Sequence, residues 1–170
     1  MRWLGLILLA SLAACAGNTT GGKGVRDIEI VEAGIYPVPA GARSTPVGLC
    51  ESLSEPARGD VNISAQERTT RIPARLGTLF GVTFRPVGTV PDGVTSFRVL
   101  WRAPDPGIPD AVTGKPRRDD GCAYAYRMGV TTFHGFRFER PAELIPGAWA
   151  LEIWHGDRKL LAYGFQVYKP

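Results

Sequence analysis

The stretch GAWALEIWHGDRKLLAYGFQV, residues 147–167, places Trp149, Leu151 and Ile153 at every second position. A polar Gly156-Asp157 pair follows, and then Leu161, Tyr163, Phe165 and Val167 share one parity again. Period two is the pattern of a strand that buries one face and wets the other. Two such runs joined by a short glycine-containing link make a hairpin, here with His155 to Arg158 as its loop. Ahead of the first run, Pro146-Gly147 supplies the turn that sends Trp149 into a core.

The same period recurs upstream. Ile28 and Ile30 alternate with Asp27 and Glu29, and Phe80, Val82 and Phe84 with Gly81, Thr83 and Arg85. Phe97, Val99 and Trp101 alternate with Arg98, Leu100 and Arg102, after a Pro91-Asp92-Gly93 turn. Tyr124, Tyr126 and Met128 share a parity, as do Phe136 and Phe138. The chain of 170 residues carries 21 Gly and 14 Pro, about a fifth of its length, which argues against long helices. Two stretches rich in these residues, 37–60 and 103–120, read as irregular. About seven short strands with no helical period predict an all-β fold, an antiparallel β-sandwich of the immunoglobulin type. The antibody signature is missing, because Trp101 lies between Cys50 and Cys122 at too long a spacing. A small β-barrel is the alternative.

The N-terminus reads as an address. Arg2 is followed by an unbroken apolar run from Trp3 to Ala10, too short for the ~20 residues that span a bilayer. Leu12-Ala13-Ala14-Cys15 then has the form of a lipobox, so residues 1–14 are expected to be a cleaved lipoprotein signal peptide and Cys15 the lipidated residue. Two other readings stay open: Cys15 as an ordinary buried cysteine, and plain secretion with Ala14-Cys15-Ala16 as the cleavage site. Residues 15–24, poor in apolar side chains, suit a flexible tether, leaving 25–170 as one sandwich domain. Residue 16 is Ala and not Asp, which by the usual sorting pattern points to an outer-membrane lipoprotein on the periplasmic face.

Export also bears on charge and cysteine chemistry. The formal charge of +4 includes Arg2, and the basic residues are scattered among acids rather than gathered in a block. Nucleic acid is therefore not an expected partner. In an oxidising compartment Cys50 and Cys122 are the natural disulfide pair once Cys15 is acylated. Such a bridge would stabilise the fold by up to about 4 kcal/mol in the chain-entropy view. The alternative is two buried thiols.

Three local patterns carry a family resemblance over residues 70–167: Arg71-Ile72-Pro73-Ala74-Arg75-Leu76-Gly77-Thr78-Leu79-Phe80-Gly81, then Pro91-Asp92-Gly93, then Pro146-Gly147-Ala148-Trp149 through Ile153-Trp154 to Lys159-Leu160. Together they resemble a bacterial domain-of-unknown-function family of exported proteins with an immunoglobulin-like fold. The resemblance implies fold and location, and no catalytic or binding residues. Physically the patterns read as scaffold: Pro73 keeps Ile72 extended, while Gly77 and Gly81 let strands approach closely.

No motif around a serine suggests a nucleophile, and no Gly-rich loop follows a strand, since Gly21-Gly22-Lys23-Gly24 lies in the tether. His155 reads as a hairpin-loop residue and His134 as a strand-end histidine. Asp119 and Asp120 follow Arg117 and Arg118 and are expected to form local exposed ion pairs with them. No catalytic residue, metal site or cofactor is assigned. Trp154 and Tyr168 fall on the outward parity of neighbouring strands, where aromatics stack on sugars or anchor a protein. The expected function is a non-enzymatic protein-interaction module of the cell envelope, held to the membrane through lipid on Cys15, that uses a sheet edge or loop. A glycan or cell-wall binding module is the alternative, and an exposed, coplanar Trp154 and Tyr168 would favour it.

Overall fold

The computed structural model describes residues 24–38, 57–59, 63–110 and 113–170, with residues 57–59 and 120 described by backbone alone. The signal stretch, Cys15, the tether as far as residue 23 and Cys50 lie outside the described residues. The long strands are β1 (Gly24–Tyr36), β4 (Leu79–Thr89), β5 (Val94–Arg102), β8 (Asp119–Arg127), β9 (Thr132–Arg137), β10 (Gly147–His155) and β11 (Arg158–Tyr168). These are the strands that the period-two pattern predicts. Four short ones join them: β2 (Ala57–Gly59), β3 (Arg71–Pro73), β6 (Ile108–Pro109) and β7 (Pro116–Arg117). Pieces of two or three residues have no periodicity to read. The stretch 103–120, expected to be irregular, therefore contains a small β6–β7 ladder and the start of β8.

Two sheets face each other, one in the order β1-β4-β9-β2 and the other β3-β11-β10-β5-β8. They are separate sheets, so the barrel alternative falls. Pairing is antiparallel except where β3 joins β11 in parallel. The chain changes sheets between β4 and β5, β8 and β9, and β9 and β10, whereas β10 and β11 form a direct hairpin across Gly156-Asp157. The core between the sheets holds Phe80, Val82, Phe84, Phe97, Val99, Leu151, Ile153 and Phe138, each at 0% exposure. Trp149 is also buried, and its indole N–H donates to the Ile145 carbonyl at 2.8 Å.

β4 departs from the expected pattern, since Gly81 and Thr83 are as buried as Phe80 and Val82. The outer face of the four-stranded sheet is not wet. A second cluster of Tyr36, Leu79 and Phe133 lies on it, with Ile63 and Ala65 packed against them. Residues 63–68 run over this face as a strap. Glu32 fixes the strap, accepting the Ala65 amide at 2.7 Å and Arg68 Nε at 2.6 Å, and these bonds hold its carboxyl below the usual value. Beneath the strap the Tyr36 hydroxyl accepts the Thr83 N–H at 3.1 Å and donates to the Glu32 carbonyl at 3.1 Å.

Candidate functional site

A connected polar grouping sits on the outer face of the five-stranded sheet, where β11, β10 and β5 lie side by side. Core parity on β10 turns Trp149, Leu151 and Ile153 inward and so presents Glu152 and Trp154 outward. A bulge after Ile153 brings Lys159 of β11 opposite Trp154, and regular pairing sets Arg98 of β5 on its other side. Glu152 lies in the middle, 6% exposed. Its carboxylate accepts hydrogen bonds from Lys159 Nζ at 2.7 Å and Trp154 Nε1 at 2.9 Å, and pairs with Arg102 Nε at 3.1 Å. Asp119, opposite Arg102 on β8, takes a second nitrogen of that guanidinium.

Burial would raise the Glu152 pKa, but the bonds from Arg102, Lys159 and Trp154 outweigh it and hold the carboxyl at about 2. A group so firmly ionised has no use as a general acid or base near neutrality. It serves instead to fix two cations and an indole in place. Because its pKa is depressed on folding, its contribution to stability is complete above the ordinary value of 4.5 and is lost as pH falls toward 2. Arg102 and Lys159 are 38% and 39% exposed, so solvent screens much of the effect. Glu152→Gln is expected to lose about 1–2 kcal/mol at pH 7. The gap between wild type and variant should close between pH 5 and pH 2 in urea unfolding. A gap that stays constant across that range would mean that this carboxylate is not the one being held ionised.

Trp154 and Tyr168 do not form a joint platform. They stand at opposite ends of the β10–β11 hairpin, about 30 Å apart at ~3.3 Å per residue. The Trp154 ring is engaged by cations from both neighbouring strands, with the Arg98 guanidinium 5.1 Å and Lys159 Nζ 4.9 Å from its centroid. Tyr168 is 37% exposed, with Arg71 5.3 Å from its ring. The outward parity of both was legible. The cationic neighbours of Trp154 were not, because they follow from the register of three strands.

Both histidines belong to the scaffold. His134 is not at a strand end but inside β9, 1% exposed, with Nδ1 hydrogen-bonded to the Tyr126 hydroxyl at 2.9 Å and its ring against Tyr124. His155 closes the hairpin opposite Arg158, and its ring lies 5.6 Å from Phe97. The expected local ion pairs in 117–120 are replaced by longer-range ones. Arg117 pairs with Asp110, Arg118 with Asp105, and Asp119 with Arg102. Cys122 points inward from β8, 6% exposed. Among the described residues no three His, Cys, Asp or Glu side chains gather as a metal site. No helix among them is long and apolar enough to cross a membrane.

Against known proteins, the model of a family described as a domain of unknown function, DUF3859, matches residues 26–167. The fold resembles the crystal structure of an immunoglobulin-like protein from Pseudomonas aeruginosa, with a TM-score of 0.59 and 22% sequence identity, over 84% of this chain and 98% of the other. At that identity the likeness speaks for the fold alone. No curated protein matches the chain.

Proposed function

The chain belongs to the DUF3859 family, which is defined without an activity, and from that premise we propose that the protein is a lipid-anchored, non-enzymatic immunoglobulin-like module of the cell envelope that holds a protein partner along the edge of β1. The observation that carries this reading is the outer edge of that strand. β1 pairs with β4 on one side over its whole length. On the other side the strap bonds to its backbone at Ile35, which donates to the Glu67 carbonyl at 2.9 Å and accepts the Gln66 amide at 2.8 Å, and to its side chains at Glu32. From Asp27 to Ala33 no strand among the described residues pairs with that edge. Peptide groups on an open edge are ready to add an extended segment. Bulges at Arg26 and Val31 and the charges of Asp27 and Glu29 keep the edge from pairing indiscriminately, and Val31, at 52% exposure, offers an apolar contact there.

Anchoring rests on Leu12-Ala13-Ala14-Cys15, and the outer-membrane, periplasmic placement on Ala16. Export in turn supports a bridge between Cys50 and Cys122. It would tie the long segment between β1 and β2 to β8.

One set of measurements tests the whole reading. The mature protein should carry acyl mass on Cys15 and, without reductant, yield a peptide joining Cys50 to Cys122. Cys15→Ser should move it from the membrane to the soluble fraction. A photo-crosslinker in place of Val31 should capture a protein in cells, whereas one in place of Arg75, on the β3–β4 turn away from that edge, should not. An unacylated, freely soluble wild type would refute the anchor, and equal capture at the two positions would refute the edge.

A further inference from the structure

Four elements meet at the end of the sandwich where β1 begins. Gly24 pairs with Thr89 at the end of β4, and the turn at Pro91-Asp92-Gly93 follows directly. The β8–β9 turn joins them, with the Met128 amide on the Gly93 carbonyl and the Gly129 amide on the Pro86 carbonyl, each at 2.8 Å. The β10–β11 hairpin completes the end, because the Arg158 guanidinium donates to the carbonyls of Val25 and Arg26. Arg26 and Arg127 lie here too, and the Arg98–Trp154–Lys159 cluster stands on the adjoining face. Among the described residues Arg26, Arg98, Arg127 and Arg158 have no carboxylate within ion-pair distance. The acids at this end are Asp27, Asp92 and Asp157, and in the adjoining cluster Glu152 pairs with Lys159 at 2.7 Å, so the unpaired cations there are the four arginines.

The opposite end is basic as well. Four of its arginines are paired, Arg117 with Asp110, Arg118 with Asp105, Arg137 with Glu139 and Arg140 with Glu143, while Arg75 and Lys169 are not. Charge alone does not choose between the ends, but the origin of β1 does. Gly24 lies nine positions after Cys15. Nine peptide steps reach at most about 30 Å when fully extended. The sandwich measures about 35 Å along β11. An acylated Cys15 therefore keeps the β1 end beside the bilayer, whereas bringing the other end down would require the tether to run nearly straight along the domain.

We propose that the end of the sandwich where β1 starts, with Arg26, Arg127, Arg158 and the Arg98–Trp154–Lys159 cluster, seats on the anionic phospholipid headgroups of the membrane that holds Cys15. The inference rests on the lipid anchor proposed above and adds an orientation to it. Cations among anionic headgroups and an indole at the interface are both favourable placements. In this pose Asp27 to Ala33 of β1 rise from the surface sideways, open to an envelope partner.

The test uses the full-length lipidated chain reconstituted into phosphatidylethanolamine vesicles containing phosphatidylglycerol, or into phosphatidylcholine vesicles. Amide exchange at 90–94, 127–130 and 155–158 should slow about threefold or more with phosphatidylglycerol. It should return to the phosphatidylcholine rate in about 0.5 M salt, where charges are screened. Arg26→Glu combined with Arg127→Glu should remove the slowing while the protein still floats with the vesicles. Floating with equal exchange at both ends, or slowing at 104–116 instead, would overturn the seating and leave the anchor standing. Failure to float would remove the anchor, and the seating with it.

Discussion

Phe80→Ala is expected to lower the stability of the domain by about 3–5 kcal/mol, the range for emptying a fully buried aromatic site. For a domain of this size that corresponds to a fall in Tm of roughly 10–25 °C. The reason is the position of the ring. Phe80 has 0% exposure and lies 5.2 Å from Trp101, 6.1 Å from Trp149 and 5.2 Å from Phe165, all on the five-stranded sheet. On its own side of the core it lies 6.0 Å from Phe136 of β9 and 5.3 Å from Phe138, just beyond that strand. Its contacts with Trp101, Trp149 and Phe165 are edge-to-face, the arrangement that aromatic quadrupoles favour. Truncation would leave a cavity walled by five rings drawn from both sheets, and rings held by two separate layers have little freedom to collapse into it. Phe80→Leu keeps most of the volume and should cost about 1–2 kcal/mol. Chemical denaturation of the two variants decides the matter. A loss under about 1 kcal/mol for the alanine variant would mean that the sheets are joined elsewhere.

The reach of sequence reading here follows from what periodicity encodes. Alternation in 147–167 and its upstream counterparts identifies a strand and its inward face, because a strand that buries one side must alternate. It cannot identify a strand covered on both sides. In β4, Gly81 and Thr83 look like solvent-facing positions, yet they lie beneath a strap whose attachment to Glu32 joins residues more than thirty positions apart. The cluster around Glu152 shows the same division. Outward parity placed Trp154 on the surface, but the surrounding cations come from β5 and β11 through a register that includes a bulge. His134 was harder still. Its bond to Tyr126 crosses from one sheet to the other, and nothing in its flanking residues signals a partner on the preceding strand.

Gly81→Ala should cost about 2–4 kcal/mol, at the upper end for overpacking, for the addition of one methyl group. Gly34, Gly81 and Gly135 are register partners across β1, β4 and β9, forming a row without side chains through the four-stranded sheet. A β-carbon on Gly81 would run into the backbone of His134 and Gly135, and one on Gly34 into the carbonyl of Glu67. The obstacle is backbone in each case, so no rotamer change relieves it. β4 and β9 would have to part along the line that also carries Phe80 and His134. Gly164 in β11 provides the contrast, because a β-carbon there meets nothing closer than the Trp149 carbonyl at 4.0 Å. Gly164→Ala should therefore gain from reduced backbone entropy in the unfolded chain, by up to about 1 kcal/mol. The two substitutions add the same methyl group to strands of the same domain, and only the spacing to neighbouring backbone differs. Opposite signs in parallel urea titrations are the expected result. If both variants were stabilised, the close approach at the glycine row would be wrong, and with it the packing of the strap and of Phe133 over the outer face.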